Sequence, residues 1–227
     1  VNKFYYDGDS FSCAGVENNT GHFLASSLGL ELKHYGFFQK SYEQIIRSAI
    51  RYTFQPNSND TFFCIGIGVA NRLDGHSDKP IRNYEMDYFE EEDYTRTVSI
   101  FDNTTEAKKN TILLDQLENN FIRTKILFNL VTLHDYLLYN GHKFIIHNLD
   151  INYRLHYRNN FSKNIIEQVK SRPRIVNFFE NSLHDLMHEK NIRGFDYDLY
   201  GKMAHPGEDG HSMYANFLTP YVEEYIK

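Results

Sequence analysis

The chain has 227 residues, 41% of them hydrophobic and 24% charged, enough for one full-sized domain and too little for two roomy ones. The 24 basic and 30 acidic residues leave a net charge of −6, and no basic patch stands out, so a phosphate backbone is not an expected partner. This balance also excludes disorder, collagen and a disulfide miniprotein. Tryptophan is absent, while 17 Tyr and 18 Phe predict a core built on Phe with Tyr at its polar margins. Cys13 and Cys64, with no CxxC, read as free buried thiols. No apolar stretch reaches the roughly 18 residues of a membrane span. The first residues show no basic n-region followed by an apolar h-region, so a cytoplasmic location is the expectation.

In chain order, Lys3-Phe4-Tyr5-Tyr6 reads as a strand that ends in the turn Asp7-Gly8-Asp9-Ser10. Phe23, Leu24 and Leu28 place a helix near 18–27, and Leu30-Glu31-Leu32 alternates as a short strand. Ile45, Ile46, Ala49 and Ile50 mark one face of a helix from Tyr42 to Tyr52, with Ser41 as its N-cap. Thr61–Ile67 is a continuous apolar run, as in a strand buried on both faces of a parallel sheet. Residues 72–110 are polar and read as an irregular surface insertion that borders a pocket; Glu90, Glu91, Glu92 and Asp93 are its acidic centre.

Beyond the insertion, a long helical pattern runs from Thr111 to Tyr139 and stops at Asn140-Gly141. Lys143–His147 is another buried strand, Asn148–Asn160 reads as loop, and Ile175–Lys190 as helix. Met213, Phe217, Tyr221 and Tyr225 share one face of a closing helix over Ser212–Ile226. Short strands alternating with helices predict an α/β class: a three-layer α/β/α sandwich around a mostly parallel sheet. Ligands of such sheets bind beyond the carboxyl ends of the strands. The places to examine are therefore just after Tyr6, Ile67 and His147, and the loop before the last helix.

The first place holds Gly8-Asp9-Ser10, where a serine on a tight strand-to-helix turn exposes its hydroxyl near backbone N–H groups, with Asp9 bracing the turn. The last holds His205-Pro206-Gly207-Glu208-Asp209-Gly210-His211. Pro206 fixes His205 in an extended conformation, and a neutral imidazole is the natural base for a serine hydroxyl at pH 7. His184 and His188 are four apart on the expected helix, but Asp185 stands where an HExxH glutamate would be; they read as a solvated face, and no metal or other cofactor is expected.

Together, Tyr6-Asp7-Gly8-Asp9-Ser10-Phe11-Ser12 near one end and His205-Pro206, Gly210 and Ala215 near the other resemble the blocks of the SGNH, or GDSL-like, hydrolase family, in type and order. The resemblance spans nearly the whole chain, as one domain with an insertion, and implies a flavodoxin-like fold. It implies a serine ester hydrolase with Ser10 as nucleophile and His205 as base; His211 is the alternative base. It also implies an oxyanion hole, for which Gly36, Gly68 and Asn71 are the candidates, in looser middle blocks. The substrates it implies are O-acyl esters of a carbohydrate or lipid, by hydrolysis or acyl transfer. One departure stands out: the family's Asp three residues before the histidine is here Lys202. Asp196 or Asp198 could orient the imidazole instead, or a backbone carbonyl could complete a Ser–His dyad. The same departure motivates a second reading, a catalytically silent domain used for glycan binding or assembly. Nucleotide binding lacks support, because neither GxGxxG nor GxxxxGK[ST] is present. No pattern in the chain fixes an oligomeric state.

Overall fold

The computed structural model describes residues 1–9, 12, 17–34, 36, 40–68, 72–81, 93–99, 119–149, 160–192, 194 and 205–227. Five strands form one parallel sheet: β1 (Lys3–Asp7), β2 (Glu31–His34), β3 (Thr61–Ile67), β6 (Lys143–Asn148) and β7 (Ile175–Val176). Their order is β2-β1-β3-β6-β7, and every pairing is parallel. The chain leaves β1 toward one edge and returns to pair β3 on its other side, so the order reverses at β1 and β3. That is the switch point at whose carboxyl end an open α/β sheet forms its crevice.

Both faces of the sheet are covered, which explains why β3 is apolar and buried throughout. On one face Tyr5, Phe63, Ile65, Phe144 and Ile146 pack with α2 (Tyr42–Thr53), α3 (Asn119–Tyr139) and α4 (Asn160–Lys170). On the other, Phe4, Tyr6, Phe62, Cys64 and Ile145 pack with α1 (Thr20–Leu28), α5 (Leu183–Glu189) and α6 (Glu208–Ile226). The three-layer α/β/α arrangement is thus as expected, and Phe and Tyr supply much of both cores. Cys64 is a free thiol, and burial pushes its pKa well up; Cys13 lies outside the described residues.

Local chemistry sets the helix starts near the carboxyl edge. Asn19 caps α1 by accepting from the Gly21 and His22 N–H groups, and His22 Nδ1 accepts in return from the Asn19 N–H. Ser41 caps α2 as expected, with Gln44 reciprocating. Gly141 ends α3 at a positive φ of 74°.

Three expectations need correction. Residues 72–110 are not wholly irregular: β4 (Arg72–Ile81) and β5 (Asp93–Ser99) pair antiparallel as a separate two-stranded sheet. The helix expected over Ile175–Lys190 is instead the two-residue strand β7, a turn, and α5 from Leu183 to Glu189. Pro173 just ahead and Asn177 at φ 46° interrupt any helix there. The helix α4 before β7 was not anticipated. The closing helix starts four residues early, at Glu208, and the expected helical stretch 111–118 lies outside the described residues.

Candidate active site

At the switch point β1 ends in Asp7, followed by buried Gly8 and Asp9. The Ser12 N–H and Ser12 Oγ both donate to the Asp9 carbonyl, at 2.9 and 2.6 Å. Ser10 and Phe11, bracketed by these residues, lie outside the described residues. Gly8 is required by crowding: a Cβ there would meet the Ser12 side chain at 2.7 Å and Leu149 at 3.0 Å.

Two further glycines close on this turn. Gly36, after β2, is buried with its Cα against the Ser12 hydroxyl; a Cβ there would collide with Ser12 Oγ and lie 3.4 Å from the Gly8 nitrogen. Gly68, after β3, backs onto the Asp9 carboxylate, and a Cβ there would overlap it. Gly8, Gly36 and Gly68, which follow β1, β2 and β3, therefore crowd Ser12 and Asp9 at one place. Asn71, the third oxyanion candidate, lies outside the described residues.

The start of α6 comes to the same edge. Glu208 in its first turn accepts from Asn18 N and Asn18 Nδ2, at 3.1 and 3.2 Å, just ahead of the α1 cap. A carboxylate in that turn also suits the helix dipole. Pro206 is buried, and His205 is half-buried, open enough to meet a ligand. His211 differs: it is fully buried, and its Nδ1 shares a 3.0 Å hydrogen bond with Thr20 Oγ1. Burial first, then the nearby His22, holds its pKa down to about 4. This imidazole links α6 to α1. Asp196, Asp198 and Lys202 lie outside the described residues.

Two groups of side chains here were not singled out from sequence. One is a buried ion pair: Asp7 Oδ1 accepts from Lys40 Nζ at 2.5 Å and from the Gly8 N–H at 2.8 Å, while Asp7 Oδ2 accepts from Tyr5 Oη at 2.6 Å. Burial pushes the Asp7 carboxyl up, opposed by these donors, Lys40 first. The signal in the sequence was a carboxylate ending an aromatic strand.

The other is a ring array on the opposite face. Tyr6 stacks on His34 at 5.8 Å and on His147 at 6.3 Å, across β3. Gly66, the register partner of His147, makes the approach possible, since a Cβ there would meet His147 Cε1 at 2.9 Å. Tyr214 Oη donates to the Asn148 carbonyl at 2.6 Å, so His147 Nδ1, 3.0 Å away, must donate to Tyr214 Oη. Burial holds His147 near a pKa of about 3 and keeps it neutral. Burial, then His22, also lowers half-buried His34 to about 3.

No family model matches the chain, and no curated protein matches it in sequence. Solved structures do match it. An acetylxylan esterase from Geobacillus stearothermophilus, in a catalytic-mutant form, superposes with a TM-score of 0.52 over 97% of this chain and 94% of its own, at 11% identity. The chain has the SGNH, or GDSL-type, hydrolase fold. A GDSL-like lipase structure from Parabacteroides merdae agrees, with a TM-score of 0.51 over 97% of this chain and 95% of that one, at 11% identity. In this fold Gly8, Gly36 and Gly68, which follow β1, β2 and β3, and the start of α6 share one sheet edge. Among the described residues no three His, Cys, Asp or Glu side chains group so as to hold a metal ion. No described helix is long and apolar enough to cross a membrane.

Proposed function

We propose that the protein is a serine-dependent ester hydrolase working through an acyl-enzyme, with Ser10 as nucleophile and His205 as base. One observation carries the reading: Gly36 and Gly68 close on Ser12 and Asp9, the described residues on either side of Ser10 in the sequence, at the switch point of a GDSL-type sheet. The half-buried His205 at the start of α6 supports it, because an accessible imidazole can exchange protons with a substrate while the sealed His211 cannot.

In this reaction the Ser10 hydroxyl attacks an ester carbonyl while His205 takes its proton. The negative charge that develops on the carbonyl oxygen is met by backbone N–H groups of Ser10 and of Gly36 or Gly68, and by the Asn71 amide. Each such donor typically contributes about 10²–10³ in rate. His205 then protonates the departing alcohol, and water, deprotonated by the same imidazole, releases the acid. A carboxylate from Asp196 or Asp198, or a carbonyl, holds the ring; a neutral partner would stabilise the imidazolium less. The substrate class proposed is an O-acyl ester of a carbohydrate or lipid, and the acetylxylan esterase among the structural neighbours favours the carbohydrate.

Hydrolysis of acetyl esters, as nitrophenyl acetate and as acetylated sugar, tests the reading. Wild type should release acetate from at least one and Ser10→Ala from neither. Equal, background release by both proteins would favour the second reading, a silent glycan-binding domain, which Lys202 at the family's acid position also favours.

A further inference from the structure

The ion pair under the Ser10 turn has no role in the proton transfers just described, yet it is the most fully enclosed charge pair among the described residues: Asp7 is 0% and Lys40 1% exposed. Stability alone is a weak reason for it. Two charges taken out of water are costly, and replacing such a pair by apolar groups of similar volume is often neutral or stabilising. An apolar pair would also suit this face, where Tyr5 and Tyr42 already belong to the core.

What the pair touches is more specific. Asp7 Oδ1 accepts from the Gly8 N–H, where the chain leaves β1 for the Ser10 turn. Lys40 lies four residues after Gly36 and directly before the α2 cap, Ser41. The contact between the two segments is tight, since Gly36 leaves no room for a methyl group against Ser12 and Gly8. Tyr5 Oη takes the remaining carboxylate oxygen and keeps the group from rotating. One carboxylate thus ties together the segment that carries the nucleophile and the segment that carries an oxyanion donor.

We propose that Asp7 and Lys40 are a positioning pair, which fixes the spacing between Ser10 and the Gly36 backbone so that attack and oxyanion capture are aligned. This rests on the serine-hydrolase reading above. The pair acts on the chemical step through the two loops, and substrate need not touch it.

The test compares Asp7→Asn, Lys40→Met and the double variant Asp7→Asn/Lys40→Met. Melting temperature, kcat and KM for nitrophenyl acetate, and the rate at which a fluorophosphonate labels Ser10 are measured on each. Each single variant should melt lower, because it strands a buried partner. The double variant should regain most of the melting temperature, while kcat and labelling stay about tenfold or more below wild type and KM stays within about twofold. Recovery of kcat together with melting temperature would overturn the proposal and leave the pair a purely structural feature. A loss confined to KM would overturn it as well. If the double variant does not fold, Asp7→Glu moves the carboxylate by one methylene while keeping its charge; a folded Asp7→Glu protein with unchanged kcat would overturn the proposal. A wild-type protein that neither hydrolyses the ester nor labels at Ser10 refutes the hydrolase reading itself, an outcome distinct from an active wild type with an equally active double variant.

Discussion

Acid should destabilise this protein through its buried histidines before most of its carboxylates titrate. His147 and His211 are essentially inaccessible, and burial lowers them from 6.5 to about 3 and about 4. Their native form is neutral, so below pH 6.5 the unfolded chain binds protons that the folded one refuses. Stability is therefore complete above that pH and falls as pH drops toward the folded values. At pH 5 each histidine has cost about 2 kcal/mol, and the two together roughly 4 of the about 5–15 kcal/mol that holds a typical domain. His34 acts in the same direction, with a smaller share because water reaches its half-buried ring. His22, His134 and His142, all lowered mainly by burial, add to it, and Asp7, raised by burial, opposes it. Urea unfolding at constant ionic strength from pH 7.5 to 5 measures the effect. Between pH 6 and 5 the slope should correspond to about two protons or more, and His147→Gln should remove about one, near 1.4 kcal/mol per pH unit. A stability that stays flat from pH 7 to 5, or a slope unchanged in His147→Gln, would refute this account of the ring array.

Other substitutions separate the roles of neighbouring residues. His205→Ala should fold like wild type and lose nearly all esterase activity, whereas His211→Ala should lose mainly stability, about 1–3 kcal/mol, by removing the Thr20 Oγ1–His211 Nδ1 bond and the buried ring from the α1–α6 contact; the reverse ranking in paired melting and activity assays would exchange the two assignments. Gly68→Ala forces a methyl group onto the Asp9 carboxylate, so denaturant melts should show a loss of about 1–3 kcal/mol and the esterase rate should fall with it; a variant matching wild type in both would show that this contact carries no constraint. Tyr214→Phe deprives the Asn148 carbonyl and His147 Nδ1 of their shared hydroxyl, and urea unfolding should register about 1–3 kcal/mol, with no change contradicting the arrangement.

Much of the fold was legible because the parallel strands are buried on both faces. Thr61–Ile67 and Lys143–His147 can be little else than central strands, and the amphipathic faces of α2 and α6 follow from spacing. The two-residue β7 is too short to carry any period, and its Ile175 and Val176 merge with Phe178 and Phe179 into an apolar cluster that reads as helix. The pair β4–β5 was hidden by Gly75 and Pro80, which both count against a strand; the register shift between His76 and Ile81 shows how the ladder accommodates the proline. At the site, Gly8, Gly36 and Gly68 each stand after a strand of the sheet, which topology alone gathers at one edge. Asp7 and Lys40 are 33 residues apart, and nothing in the spacing of two isolated charges announces a buried pair. Nor could the Tyr6–His147 stack be read, since it depends on Gly66 leaving the strand between them without a side chain.

The most direct test of the central claim is to treat the whole chain with a fluorophosphonate, digest it and locate the adduct by mass spectrometry. The adduct should lie on Ser10, vanish in Ser10→Ala and form much more slowly in His205→Ala. No adduct on wild type, or one that persists when Ser10 is replaced, would contradict an activated serine at this turn.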